Sequence, residues 1–168
     1  MESNVQNIYW TKMCIYKYNF FYLNEYFMSS VKVDRIIKIF STVASSAAIA
    51  CWAKWNSMDF LWGLVIVLSQ VVMTVNEILP YKKRIETLSA MLAQSSALYL
   101  DVERKWHSVA SGDLTAEEIN ELTYDFAKRW NEIDSKYFED DGLAVKSKFK
   151  EIAERRVEDY FKANFMEE

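Results

Sequence analysis

Gln70, Thr74 and Glu77 recur at i, i+4 and i+7 inside a run that is otherwise uncharged, with Met73 beside them. On a helix this spacing gathers the polar groups into one stripe. Polar groups are expensive against hydrocarbon, so the stripe should face protein or water. Besides exposure to lipid, two readings of Gln70, Met73, Thr74 and Glu77 stand side by side. One is an interhelical hydrogen-bond patch. The other is the wall of a water-filled path between several copies of the chain, in which a ring of Glu77 carboxylates draws cations.

A second group is cationic. Arg129, Lys148, Arg155 and Arg156 sit on segments of helical pattern. They are either solvated helix faces or, once gathered in a folded bundle, a contact for phosphate groups, which guanidinium forks grip well. Other chemistry is poorly represented. One His and two Cys leave no zinc or disulfide framework, and no Gly-rich phosphate loop or CxxC is present. His107 reads as a cation at a helix end. Glu117/Glu118 and the Glu139–Asp141 run read as helix-start and loop carboxylates. No catalytic residue, metal ligand or cofactor is expected, and the composition weighs against an enzyme.

The elements that must position these residues are helical. Three Gly and one Pro in 168 residues leave room for few loops. IFSTVASSAAIACWA (39–53) and FLWGLVIVLSQVVMTVN (60–76) carry no charge. With their flanks they approach the ~20 residues that span a ~30 Å hydrocarbon core. Trp52, Trp55, Phe60 and Trp62 surround the short turn between them, as interfacial aromatics do. The alternative is a pair of buried helices in a soluble bundle. Lys32, Arg35 and Lys38 precede the first run and Lys82, Lys83 and Arg84 follow the second, with only Lys54 in the turn. The positive-inside rule then places both termini in the cytoplasm and the chain in the inner (cytoplasmic) membrane. Thiols at Cys14 and Cys51 fit that side, and the first 30 residues lack the pattern of a cleavable signal peptide.

Three segments follow. Residues 1–30 form an aromatic helix that lies at the inner interface, packs on the cytoplasmic helices, or does both. Residues 31–81 form the transmembrane hairpin, and residues 82–168 a cytoplasmic helical domain. The charge divides accordingly, with nine Lys/Arg against five Asp/Glu up to residue 85 and eleven against nineteen beyond it. After Pro80, Ile85, Leu88, Leu92, Ser95, Tyr99, Val102, Trp106 and Val109 recur nearly as a heptad seam, which suggests packing between copies. Gly112 ends that helix, and Thr115 with Glu118 makes a capping box for the next. The last helix carries Val145, Phe149, Ile152, Val157, Tyr160 and Phe161. The fold class is all-α. Small residues at Ser41, Ala44, Ser45 and Ala48 let another helix approach the first span closely.

This arrangement resembles the SLATT family, the SMODS- and SLOG-associating two-transmembrane effector domains. The stretches that carry the likeness are KIFSTVASSAAIACWAKW, FLWGLVIVLSQVVMTVNEILPYKKRIETL, LYLDVERKWHSVASGDLTAEEI and SKFKEIAERRVEDYF. The resemblance implies an oligomeric pore-forming effector of bacterial antiphage defence, beside a nucleotidyltransferase encoded nearby. It also implies control by a nucleotide second messenger or oligonucleotide acting on the cytoplasmic domain. Two helices cannot enclose a pore alone, so the expected partners are the lipid membrane and further copies of the chain, with a cyclic tetramer as first choice. Two competing classes are a membrane-anchored helical binding module that recruits a protein partner, and a holin-like lesion former.

Overall fold

The computed structural model describes the backbone of residues 2–51, 63, 64, 67, 68, 70, 71, 74, 81–137 and 143–165, and their side chains except at 2, 43–51 and 81. Four helices are delimited: α1 (Glu2–Cys51), α2 (Tyr81–Ala110), α3 (Ala116–Tyr137) and α4 (Ser147–Phe165). The described positions between 63 and 74 are helical as well, and no strand occurs among the described residues. The chain is all-α, as its scarcity of Gly and Pro requires.

The segment expected to end near residue 30 continues as α1 through Cys51. No Gly or Pro lies between residues 2 and 51, so nothing in the backbone chemistry stops the helix. The chain nonetheless divides into two compact units, one of Met1–Phe27 with Thr87–Glu168, the other of Met28–Glu86.

In the first unit the aromatic start of α1 is a wall of a four-helix bundle. Val5, Tyr9, Met13 and Tyr16 advance by three or four residues along one face and are buried. They meet Leu98, Tyr99, Val102 and Val109 of α2, Ile119 and Phe126 of α3, and Phe161 of α4 in one core. A second cluster joins Leu23 and Tyr26 of α1 to Leu88 and Met91 of α2. The Tyr9 hydroxyl donates to the Val102 carbonyl at 2.7 Å, and Gln6 Nε2 donates to the Val109 carbonyl at 2.9 Å. The seam of α2 is therefore filled from within the chain, by α1, and is not left as a face for another copy. Ser95 lies in it with its Oγ buried and without a hydrogen-bond partner.

The turn between α2 and α3 follows its local signals. Gly112 adopts φ of 74°, a left-handed conformation that costs a side-chain-bearing residue ~1 kcal/mol or more. Asp113 N donates to the Ser108 carbonyl and Gly112 N to the Val109 carbonyl, the paired bonds of a Schellman motif. Three residues after Gly112, Glu118 N donates to Thr115 Oγ1 at 3.3 Å while Thr115 N donates to Glu118 Oε2 at 2.7 Å, closing the capping box. Before α4, Lys146 N donates to the Tyr22 hydroxyl at 3.2 Å, tying the start of the last helix to α1. Val145, expected on the apolar stripe of that helix, instead precedes α4 and is exposed, because the helix begins only at Ser147.

The second unit shows the reverse distribution of apolar groups. Ile36, Ile39, Leu64, Val67, Leu68 and Val71 are all exposed. The last four follow i, i+3, i+4 and i+7 and so form one outward stripe. Lys38 Nζ pairs with Asp34 at 2.6 Å, and the Thr42 hydroxyl donates to the Lys38 carbonyl at 2.8 Å. Among the described residues no helix is long and apolar enough to cross a membrane. Charged residues extend in α1 to Lys38, and residues 52–62, with the expected turn at 56–59, and much of the second uncharged run lie outside the described residues.

Candidate functional site

Of the polar stripe, Gln70 and Thr74 are helical and exposed, on the flank of the outward apolar stripe. The Thr74 hydroxyl donates to the Gln70 carbonyl at 2.9 Å, one turn back. This bond satisfies the hydroxyl without a solvent or side-chain partner. Met73 and Glu77 lie outside the described residues.

The four cations expected to meet a phosphate are placed on different partners. Arg129 of α3 donates to Asp101 of α2 at 3.0 Å and lies 4.0 Å from Asp125 on its own helix. Arg156 of α4 donates to Glu25 of α1 at 2.8 Å, with its guanidinium 4.3 Å from the Phe21 ring centre. Lys148 and Arg155 are exposed on α4. Each of the two arginines is thus matched by a carboxylate from another helix, Arg129 bracing α3 on α2 and Arg156 bracing α4 on α1.

A site that sequence reasoning passed over lies inside the bundle. Lys17 of α1 is only 8% exposed. Its ammonium stands 3.6 Å from the ring centre of Tyr160 and 3.9 Å from that of Tyr99, with Phe21 at 5.2 Å and Phe20 at 5.8 Å. The negative ring faces hold the cation where water is scarce. Glu103 of α2 anchors the box, because the Tyr99 and Tyr160 hydroxyls both donate to its Oε1, Tyr99 at 3.1 Å. Burial pulls the Lys17 pKa below the ordinary lysine value; Glu103 draws it back up, and Arg156 pushes it further down. Burial also raises the Tyr99 and Tyr160 phenols, and the neighbouring Glu103 carboxylate adds to the rise in both. Chemically the box is a cation receptor filled by a residue of the same chain, and it joins α1, α2 and α4. A local signal existed: Phe20 and Phe21 stand three and four residues after Lys17, and Tyr99 stands four before Glu103, so each set shares one helical face.

Among the described residues no group of three or more His, Cys, Asp and Glu could hold a metal ion. His107 is exposed in the last turn of α2, where its carbonyl accepts the Ser111 hydroxyl. Cys14 is a half-buried free thiol whose pKa is raised by burial.

Comparison of the chain with protein-family models, curated proteins and solved structures gives no match.

Proposed function

We propose that the protein is an oligomeric membrane effector, in which residues 31–81 form a two-helix transmembrane hairpin and the helical bundle controls an ion path. The observation that carries this reading is the contrast between the two units. The bundle has a buried core of large apolar side chains, whereas among the described residues of 28–86 none of the large apolar side chains is buried and Ile36, at 65%, and Val67, at 59%, are exposed. Apolar surface of that kind needs a partner, and lipid suits the outward stripe of Leu64, Val67, Leu68 and Val71. The SLATT resemblance implies the same role, an effector that damages the membrane of an infected bacterial cell.

In a ring of copies, Gln70, Met73, Thr74 and Glu77 line the path, and Glu77 favours cations. Control runs through the bundle's ion pairs. A nucleotide signal meets the exposed Lys148 and Arg155, and its phosphates compete with Glu25 for Arg156 and with Asp101 for Arg129. A ligand shifts the conformation only by its differential affinity for the two states, and ~3 kcal/mol gives roughly a hundredfold change. Purified protein in a planar bilayer should conduct, Glu77→Gln should move the reversal potential in a salt gradient, and Gln70→Leu should block current. A monomer by mass measurement in nanodiscs overturns the channel. An oligomer that never conducts favours the membrane-anchored binding module instead.

A further inference from the structure

Besides the lysine box, the bundle carries an open cleft of about 410 Å³ lined by Ser3, Gln6, Asn7 and Trp10 of α1, Trp106 of α2 and Phe165 of α4. We infer that this cleft binds an uncharged, planar heteroaromatic ring of purine size. Three observations carry the inference: the rings that line it, the two amides beside them, and the absence of charge in the lining.

Trp10 and Trp106 have ring centres 4.9 Å apart but are tilted by 51°, and Phe165 meets Trp10 edge-on at 5.4 Å and 82°. Trp10, Trp106 and Phe165 are all half-buried. Trp106 stacks on Tyr9 at 6.1 Å and 19°, and Trp10 takes Phe161 as well as Phe165 edge-on, so each indole is covered in part and the half-buried remainder lines the cleft as surface for a flat ligand to stack upon.

The amides supply an edge. Gln6 Nε2 is held by the Val109 carbonyl at 2.9 Å, across a separation of 103 residues, which fixes the carboxamide and leaves Oε1 as an acceptor. One residue on, Asn7 is exposed and offers both a donor and an acceptor, while its backbone carbonyl is engaged by Thr11. A donor–acceptor edge beside aromatic faces is the chemistry by which unstacked bases are read. None of the six lining residues is ionisable, so the cleft selects a neutral ring and adds nothing for a phosphate. This distinguishes it from the arginine contacts proposed above. The inference stands on the bundle alone and does not require the hairpin to conduct, so a silent bilayer with intact binding separates the two readings.

The test is a titration of the full-length chain in detergent micelles with adenosine, guanosine, cytidine and AMP, followed by tryptophan emission and by calorimetry. Adenosine or guanosine should quench saturably, and cytidine should bind more weakly. AMP should match adenosine within about threefold. Loss of a stacking face in Trp106→Leu should weaken binding by about tenfold or more, since base stacking is worth ~1–3 kcal/mol. Asn7→Ala, at an exposed position that leaves the fold unchanged by circular dichroism, should weaken it by about fivefold. Three results overturn the inference: no saturable quench by either purine nucleoside, an affinity unchanged in both variants, or an affinity that depends on the phosphate of AMP.

Discussion

Replacing Glu103 by Gln tests the lysine box most directly. The substitution keeps the shape of the side chain and removes its charge. In the parent, two phenol hydroxyls donate to one carboxylate oxygen, and the same carboxylate is the group that draws the Lys17 pKa upward. A hydrogen bond to a charged acceptor contributes ~1.5–3 kcal/mol and a neutral one ~0.5–1.5 kcal/mol, so each phenol contact should weaken by about 1 kcal/mol. Lys17 loses its counter-charge besides, giving a total of about 2–3 kcal/mol. For a chain of this length that corresponds to a Tm lower by roughly 5–10 °C. Urea unfolding followed by near-ultraviolet dichroism gives the first measurement. The second is the Lys17 ε-carbon resonance against pH, which should report a pKa lower than in the parent. A Tyr99→Phe background should reduce the effect of Glu103→Gln, because the two groups share one contact. If the midpoint moves by less than about 0.5 kcal/mol and the Lys17 titration is unchanged, Glu103 does not hold the box and the rings alone retain the cation.

Three further outcomes are expected. Thr115→Ala removes both hydroxyl bonds of the capping box and should cost about 1 kcal/mol in the same unfolding experiment. Met13→Ala, at a position with no exposed surface in the centre of the bundle, should cost about 2–5 kcal/mol, the larger end if the surrounding rings do not close on the cavity. The Tyr9, Tyr16, Tyr99 and Tyr160 phenols all have folded pKa values raised above 10 by burial, so the folded state holds their protons more tightly than the unfolded chain does. Their contribution is therefore complete below pH 10 and is lost as pH rises beyond it. Lys17 has the opposite slope, its lowered pKa making stability rise with pH in the window just below the ordinary lysine value. Unfolding free energy measured from pH 7 to 12 should thus rise modestly before falling steeply, and a monotonic fall from neutrality would contradict the placement of Lys17.

The parts of this structure that were legible in the sequence are those with local causes. Gly112, Thr115 and Glu118 fix the turn between α2 and α3 through bonds spanning five residues or fewer, and the α2 seam is written in its three-and-four spacing. What covers that seam was not legible, because Tyr9 reaches Val102 across 93 residues, and the same apolar spacing serves a partner copy equally well. The aromatic segment was ambiguous for a related reason: a helix apolar on most sides does not declare its buried face until Met13, Tyr16 and Tyr26 find their partners. The basic residues were grouped by charge type, but Arg129 and Arg156 are placed by the carboxylates opposite them, Asp101 and Glu25, which the spacing of the arginines does not encode. Lys17 was legible in principle from the aromatics one turn away.

The bundle's discontinuity in the chain sets an order on how the molecule can be made. Residues 1–27 share one compact unit with residues 87–168, and the ion pair between Glu25 and Arg156 closes across 131 residues. At roughly 5–20 residues per second, a ribosome needs roughly 10–30 s to pass from the end of the aromatic segment to the end of α4. Tyr9, Met13, Tyr16 and Tyr26 meet their first core partners only when α2 is made, and the last wall of the core, with Phe161, arrives only with α4. Closure of so long a loop makes this bundle slow to assemble by the standard of helical proteins. A nascent chain arrested before α4 would display a sticky aromatic helix, a natural client for chaperones or for the membrane surface itself.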